Sequence, residues 1–109
     1  MALKFSQVFS EMINAVKASL GKDWGKAKDY ANPEIKRLAQ SLIDISKLTA
    51  LGKINQQEAK ALIQIHKNTT QMVFLTVEGL GIIAVENAIN AALDVVKKSV
   101  NAVAGIKIV

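Results

Sequence analysis

The sequence lacks cysteine altogether and holds one histidine, one proline and only six glycines in 109 residues. Without cysteine there can be no disulfides, no cysteine-ligated zinc sites and no thiol nucleophiles. Scarce proline and glycine argue against a fold built from many short strands and tight turns. Half of the residues are hydrophobic, which suffices for the core of one domain of this length. We therefore expect a single domain over residues 1–109, held together by apolar packing.

Residues that could carry chemistry are equally sparse. His66 has Leu62 and Ile63 at the helical positions four and three residues before it, so the Glu-x-x-His pattern of a helical metal site is absent. The carboxylates of Glu78 and Glu86 would lie about 12 Å apart along a helix axis, too far for an acid–base pair within one chain. The sequence therefore predicts no catalytic residues, no metal ion and no cofactor.

The positive charge is concentrated in the first half of the chain. The net charge of the chain is +5. Residues 1–53 contain nine basic and five acidic residues, whereas no basic residue occurs between Lys67 and Lys97. Nucleic-acid-binding proteins gather lysine and arginine on one face, whereas here the only arginine is Arg37 and the lysines alternate with acids. Nucleic acid, bound through Lys22–Lys36 and Arg37, is therefore only a minor alternative partner.

Apolar periodicity predicts an all-α fold with three helical segments. The predicted helices cover about residues 3–20, 33–51 and 56–103. The second is expected to start afresh at Asn32 and Pro33, an N-cap residue followed by proline at the first helical position. The third is the longest and contains two glycines in residues 78–81. Because their neighbours are apolar, we expect a kink there; a full break, giving four helices, is the alternative.

The clearest turn signals lie between the second and third predicted helices. Gly52 fits the position just past a helix end, where glycine accepts a left-handed conformation. Asn55 followed by Glu58 three residues later is an asparagine-headed version of the capping box. A connection this short makes the flanking helices antiparallel. The sequence therefore predicts a helical hairpin.

Residues 72–85 are apolar nearly all round a helix, with Glu78 as the only charge. A helix that is hydrophobic on every side is buried on every side, and a lone chain of 109 residues offers few neighbours to bury it. We therefore expect an antiparallel helical bundle completed by other copies of the chain, most simply as a homodimer. The predicted interface residues are Met72, Leu75, Gly79, Gly81, Ala84, Ala88 and Ala92.

These patterns favour a non-catalytic interaction or structural protein of the cytoplasm. The first residues lack the continuous apolar stretch of a signal peptide, and three carboxylates interrupt Gln71–Val96. The overall pattern is similar to that of small helical proteins of bacteria and their phages, which suggests a component of a larger assembly. The main alternative is a membrane-active protein that exposes residues 72–85 and its tail, residues 103–109.

Overall fold

The computed structural model describes residues 3–109 and contains, within that range, four α-helices and no β-strand. The helices are α1 (Phe5–Leu20), α2 (Trp24–Ala50), α3 (Gln56–Leu75) and α4 (Ile82–Ala104). A 3-10 turn, Gly21–Asp23, joins α1 to α2. The prediction of an all-helical chain is confirmed.

Consecutive helices run antiparallel. The ammonium group of Lys36 on α2 lies over the ring of Phe9 on α1, 5.6 Å from its centroid. The hydroxyl of Ser41 on α2 lies 3.4 Å from the imidazole of His66 on α3. Because short turns connect these helices, α2 returns alongside α1, and α3 returns alongside α2. The start of α3 lies beside the end of α4, since the side chain of Gln56 donates a hydrogen bond to the carbonyl of Lys107.

The helices α2 and α4 form the centre of the molecule, and α1 and α3 flank them. Both α2 and α4 contact each of the other helices, whereas α1 and α3 do not contact each other within the described residues. The most extensive contact joins α1 to α4, and the least extensive joins α3 to α4. The longest dimension, 42 Å, matches the length of about 40 Å expected for the 27 residues of α2.

The predicted start of the second helix at Asn32 and Pro33 is wrong. The helix α2 begins at Trp24 and continues through Pro33. Proline inside a helix costs about 3 kcal/mol because it removes a backbone hydrogen bond and crowds the preceding turn. Here the buried stripe runs across the proline, from Ala27 and Ala31 on one side to Ile35 on the other. Tertiary packing of that stripe overrides the local signal to begin a helix.

The kink expected at residues 78–81 is wrong, and the alternative of a full break that gives four helices is what the structure has, since α3 ends at Leu75 and α4 begins at Ile82. Gly79 has φ +89°, a backbone conformation that closes the turn and that other residues rarely adopt. The apolar residues that argued against a loop, Val77 and Leu80, are buried in the core. The loop therefore turns its apolar side chains into the core. The hydrophobic residues of this stretch belong to a loop that packs against the core, and not to a continuous helix.

Candidate interaction surface

The turn between α2 and α3 holds the predicted turn and cap residues. Gly52 has φ +72°. The side-chain oxygen of Asn55 accepts a hydrogen bond from the backbone N–H of Glu58 at 2.8 Å, and the Glu58 carboxylate accepts one from the backbone N–H of Asn55 at 3.0 Å. These two reciprocal bonds satisfy donors that the first turn of a helix otherwise leaves unpaired. They fix the residue at which α3 begins.

Four of the predicted interface residues lie on the surface at the junction of α3 and α4. Met72, in the last turns of α3, is 69% exposed, and Leu75, the last residue of α3, is 41% exposed. Gly79 and Gly81 are exposed in the loop that follows. Ala84, in the first turn of α4, is half-buried and packs against the core. This part of the predicted interface is therefore open to solvent in the single chain.

The placement of Ala88 and Ala92 in an intermolecular interface is wrong for the chain as it folds. Both side chains are fully buried in the core of this one chain. The expectation rested on a single helix over residues 56–103 with too few neighbours, whereas the break leaves α4 as a separate helix in contact with α1, α2 and α3. The small side chains of α4 thus serve packing within the chain.

Other large apolar side chains are exposed on α3 and in the first turn of α4. Ile65 lies seven residues before Met72, which places both on the same side of α3, and it is exposed. Ile82 and Ile83, the first residues of α4, are exposed as well. We refer to this set as the α3 apolar face: Ile65, Met72, Leu75, Ile82 and Ile83. The i, i+7 spacing could have revealed Ile65, whereas Ile82 and Ile83 lie within residues 72–85, the stretch that the sequence already predicted to need a partner.

The charges near the α3–α4 loop are balanced. Residues 21–30, at the same end of the molecule, and the loop itself hold three lysines and three carboxylates: Lys22, Lys26, Lys28, Asp23, Asp29 and Glu78. One of these pairs forms an ion pair, because the ammonium group of Lys26 lies 3.4 Å from the carboxylate of Asp23. The same lysine side chain packs beside Gly79. The lysines and carboxylates of these two segments are therefore equal in number, and among them Lys26 and Asp23 form an ion pair.

The remaining basic residues of the predicted nucleic-acid stretch are engaged within the chain. Arg37 pairs with the buried carboxylate of Glu34, whose second oxygen has no hydrogen-bond partner among the described residues. Lys36 lies over the ring of Phe9. These contacts disperse the positive charge instead of gathering it on one face.

The environment of His66 is the nearest approach to a catalytic arrangement. Its Nδ1 lies 3.4 Å from the hydroxyl oxygen of Ser41, and that hydroxyl donates a hydrogen bond to the backbone carbonyl of Arg37 at 2.9 Å. The hydroxyl is thus already bonded within its own helix. Within residues 3–109, no group of three or more histidine, aspartate or glutamate side chains is placed to hold a metal ion.

Across the part of the chain that the structure describes, every helix is too short or too polar to cross a membrane. Comparison with protein-family models, with curated protein sequences and with solved structures found no match for this chain.

Proposed function

We propose that this protein is a non-catalytic helical interaction protein that works as a homo-oligomer, most simply a dimer, and contributes to a larger assembly. The observation that carries the proposal is the α3 apolar face, five large apolar side chains that are exposed on α3 and in the first turn of α4. Large apolar side chains grouped on a surface mark interaction sites more often than do single exposed ones. Because each of them is only 41–69% exposed in the single chain, completing its burial in a partner contributes less than the about 1.5–3 kcal/mol of a fully exposed side chain.

A second copy of the chain is the partner that this surface fits best. No charged residue occurs from Asn68 to Val77, so two copies of α3 can approach along this stretch without burying a charge. Residues 21–30 and the α3–α4 loop carry equal numbers of lysines and carboxylates, so these regions of two copies do not repel each other. A two-fold axis also brings the same apolar surface of both copies together, so that each copy buries its own apolar side chains in the interface.

The test is the solution mass, measured by light scattering during gel filtration. The wild-type chain should elute as a dimer or larger oligomer. A double variant, Met72→Lys with Ile83→Lys, should weaken association about a hundredfold or more, because it removes apolar contacts from both copies and introduces repulsion. The control is Leu51→Lys in the α2–α3 turn at the opposite end, since Leu51, Met72 and Ile83 are all 69% exposed.

The control should retain the wild-type mass. A wild-type chain that is monomeric at every concentration would refute self-association. Equal loss of mass in the control and the double variant would show instead that the lysines act through general repulsion.

A membrane surface is the second candidate, and one observation favours it. Lys22, Lys26 and Lys28 lie at the same end as the α3 apolar face, and Trp24 is half-buried among them. Lysines and a tryptophan beside apolar side chains are typical of a segment that adsorbs to anionic lipid. Co-sedimentation with anionic vesicles, lost in the Met72→Lys, Ile83→Lys variant and absent with neutral vesicles, would favour this function over self-association.

A further inference from the structure

A second concave surface lies on another side of α3. A groove of about 330 Å³ opens between α3, α4 and the segment that follows α4. Buried apolar side chains form its floor, and lysines stand at its rim; the floor residues are Ile63, Leu93 and Ile108, and the rim residues are Lys60, Lys67 and Lys107. The volume lies at the lower end of the range of small-molecule sites, about 300–1,000 Å³.

One wall of the groove is held in place by a side chain of α4. The carbonyl oxygen of Asn101 accepts hydrogen bonds from the backbone N–H groups of Ile108 at 2.8 Å and Val109 at 2.9 Å. Its amide nitrogen donates to the carbonyl of Val109 at 3.2 Å. The side chain of Gln56 donates to the carbonyl of Lys107 at 2.8 Å. The groove is therefore formed by ordered backbone before any ligand arrives.

The rim of the groove carries positive charge that the chain does not neutralise. No aspartate or glutamate lines the groove. Among the described residues, the ion pairs are those of Lys26 and Arg37, and none involves a lysine of the rim. A ligand that supplies an anion would therefore meet lysines without a competing aspartate or glutamate side chain.

We propose that this groove binds a single-chain aliphatic anion of medium length, with its hydrocarbon chain on the floor and its head group at the rim lysines. The apolar floor matches the chain, and the rim lysines supply ammonium donors for a carboxylate or phosphate. The lining contains no aromatic ring, so it lacks the stacking platform that a nucleobase requires.

This proposal is independent of self-association. Successive residues of a helix are rotated by about 100°, which places Lys60 and Lys67 about 120–140° around α3 from Met72. The groove and the α3 apolar face are therefore on different sides of the same helix, and one can be altered without changing the other.

The test is a titration of the isotope-labelled protein with sodium decanoate below its micelle concentration, followed by amide chemical shifts. The expected shifts are confined to the groove, at residues around Ile63, Leu93 and Ile108. The double variant Lys60→Gln with Lys67→Gln should bind about tenfold more weakly, because it loses two cations of the site, one exposed and one half-buried. The matched control, Lys28→Gln with Lys98→Gln, removes two exposed lysines elsewhere and should bind as the wild type does.

Two further probes define the ligand. Decyl phosphate, with the same chain and a different anionic head group, shows which head group the lysines prefer, and binding of either anion at the groove supports the proposal. The cation decyltrimethylammonium should not bind there. The proposal is overturned if the cation binds as well as the anions, if the rim variant binds decanoate like the control, or if neither anion shifts the groove resonances. Unchanged helical circular dichroism of both double variants ensures that a loss of binding is not a loss of fold.

Discussion

The helices α1 and α3 flank the same central pair, yet they are attached to it differently. Each buries four residues along its length. In α1 these are all large aliphatic side chains at four-residue spacing: Val8, Met12, Val16 and Leu20. In α3 they include a methyl group and a hydroxyl: Ala59, Ile63, Thr70 and Phe74. The inner face of α3 therefore contributes less apolar surface to the core than the inner face of α1.

On the outer faces the order is reversed, because α3 exposes more large apolar side chains than α1 does. On α1 the only exposed large apolar side chain is Phe5, at 37%. On α3 there are three, Ile65, Met72 and Leu75. A helix that turns large apolar residues both inward and outward is typical of one whose burial is completed by a partner. The comparison is consistent with α1 as an ordinary surface helix and with α3 as the helix through which we propose that this chain associates.

The most direct test of this difference between α1 and α3 is to replace one methionine of each helix by alanine. Met12 of α1 is fully buried, so Met12→Ala should lower the free energy of unfolding by about 2–5 kcal/mol. Met72 is mostly exposed, so Met72→Ala should change the unfolding of the monomer by less than about 0.5 kcal/mol while weakening association. Chemical denaturation of dilute protein measures the first effect, and light scattering measures the second. Equal losses of stability would mean that both helices are attached alike.

A second test asks whether the small residues of α4 face the chain's own helices or a second copy. Ala88→Leu should cost about 1–3 kcal/mol because a leucine overpacks a site with no exposed surface. Ala102→Leu, at an exposed position of the same helix, is the control and should be nearly neutral. Thermal unfolding of the two variants gives the difference. If Ala88→Leu changed only the oligomer mass, the alanine would belong to an interface after all.

Local chemistry explains which parts of the fold could be predicted. The end of α1 before Gly21 and the turn at Gly52 and Asn55 depend on residues that are neighbours in sequence. The path through Pro33 and the break near Gly79 depend on packing against distant helices, which periodicity does not report. Pro33 predicted the start of a helix, and the apolar residues of the loop predicted a continuous helix. Both predictions were wrong because burial against other helices determines the structure at these two places.

The candidate site was predictable to a similar degree. Met72 and Leu75 were expected to be available to a partner, and the single chain leaves both exposed. Ala88 was misplaced because apolar periodicity shows that a helix face is buried without showing what buries it. The sequence did not indicate the groove, since Lys60 and Lys107 line the same groove only because the segment after α4 folds back onto α3.

A third test concerns the turn that sets α3 against α2. Gly52→Val should cost about 1–2 kcal/mol, because a side chain at φ +72° collides with the backbone. Gly25, inside α2, is the matched control: an added Cβ would meet no atom within 4 Å, so Gly25→Ala should stabilise the chain by about 0.5–1 kcal/mol. Thermal unfolding measures both the loss of stability expected for Gly52→Val and the gain expected for Gly25→Ala. A neutral Gly52→Val would show that α3 holds its place without this turn.

The smallest expected effect tests whether α3 can be made to resemble α1. The hydroxyl of buried Thr70 donates to the carbonyl of His66 in its own helix, so Thr70→Val removes one polar group from the core and adds a methyl group of the same shape. We expect a gain of up to about 1 kcal/mol, since replacing a buried polar group by an apolar one of the same shape is neutral or stabilising when no partner is left orphaned. Thr69 provides the control, because its hydroxyl makes the equivalent bond to Ile65 but is exposed. Thr69→Val should therefore leave the denaturation midpoint nearly unchanged. A loss of stability specific to Thr70→Val would mean that the hydroxyl itself anchors the inner face of α3, and that this helix is attached by polar contacts that α1 does not need.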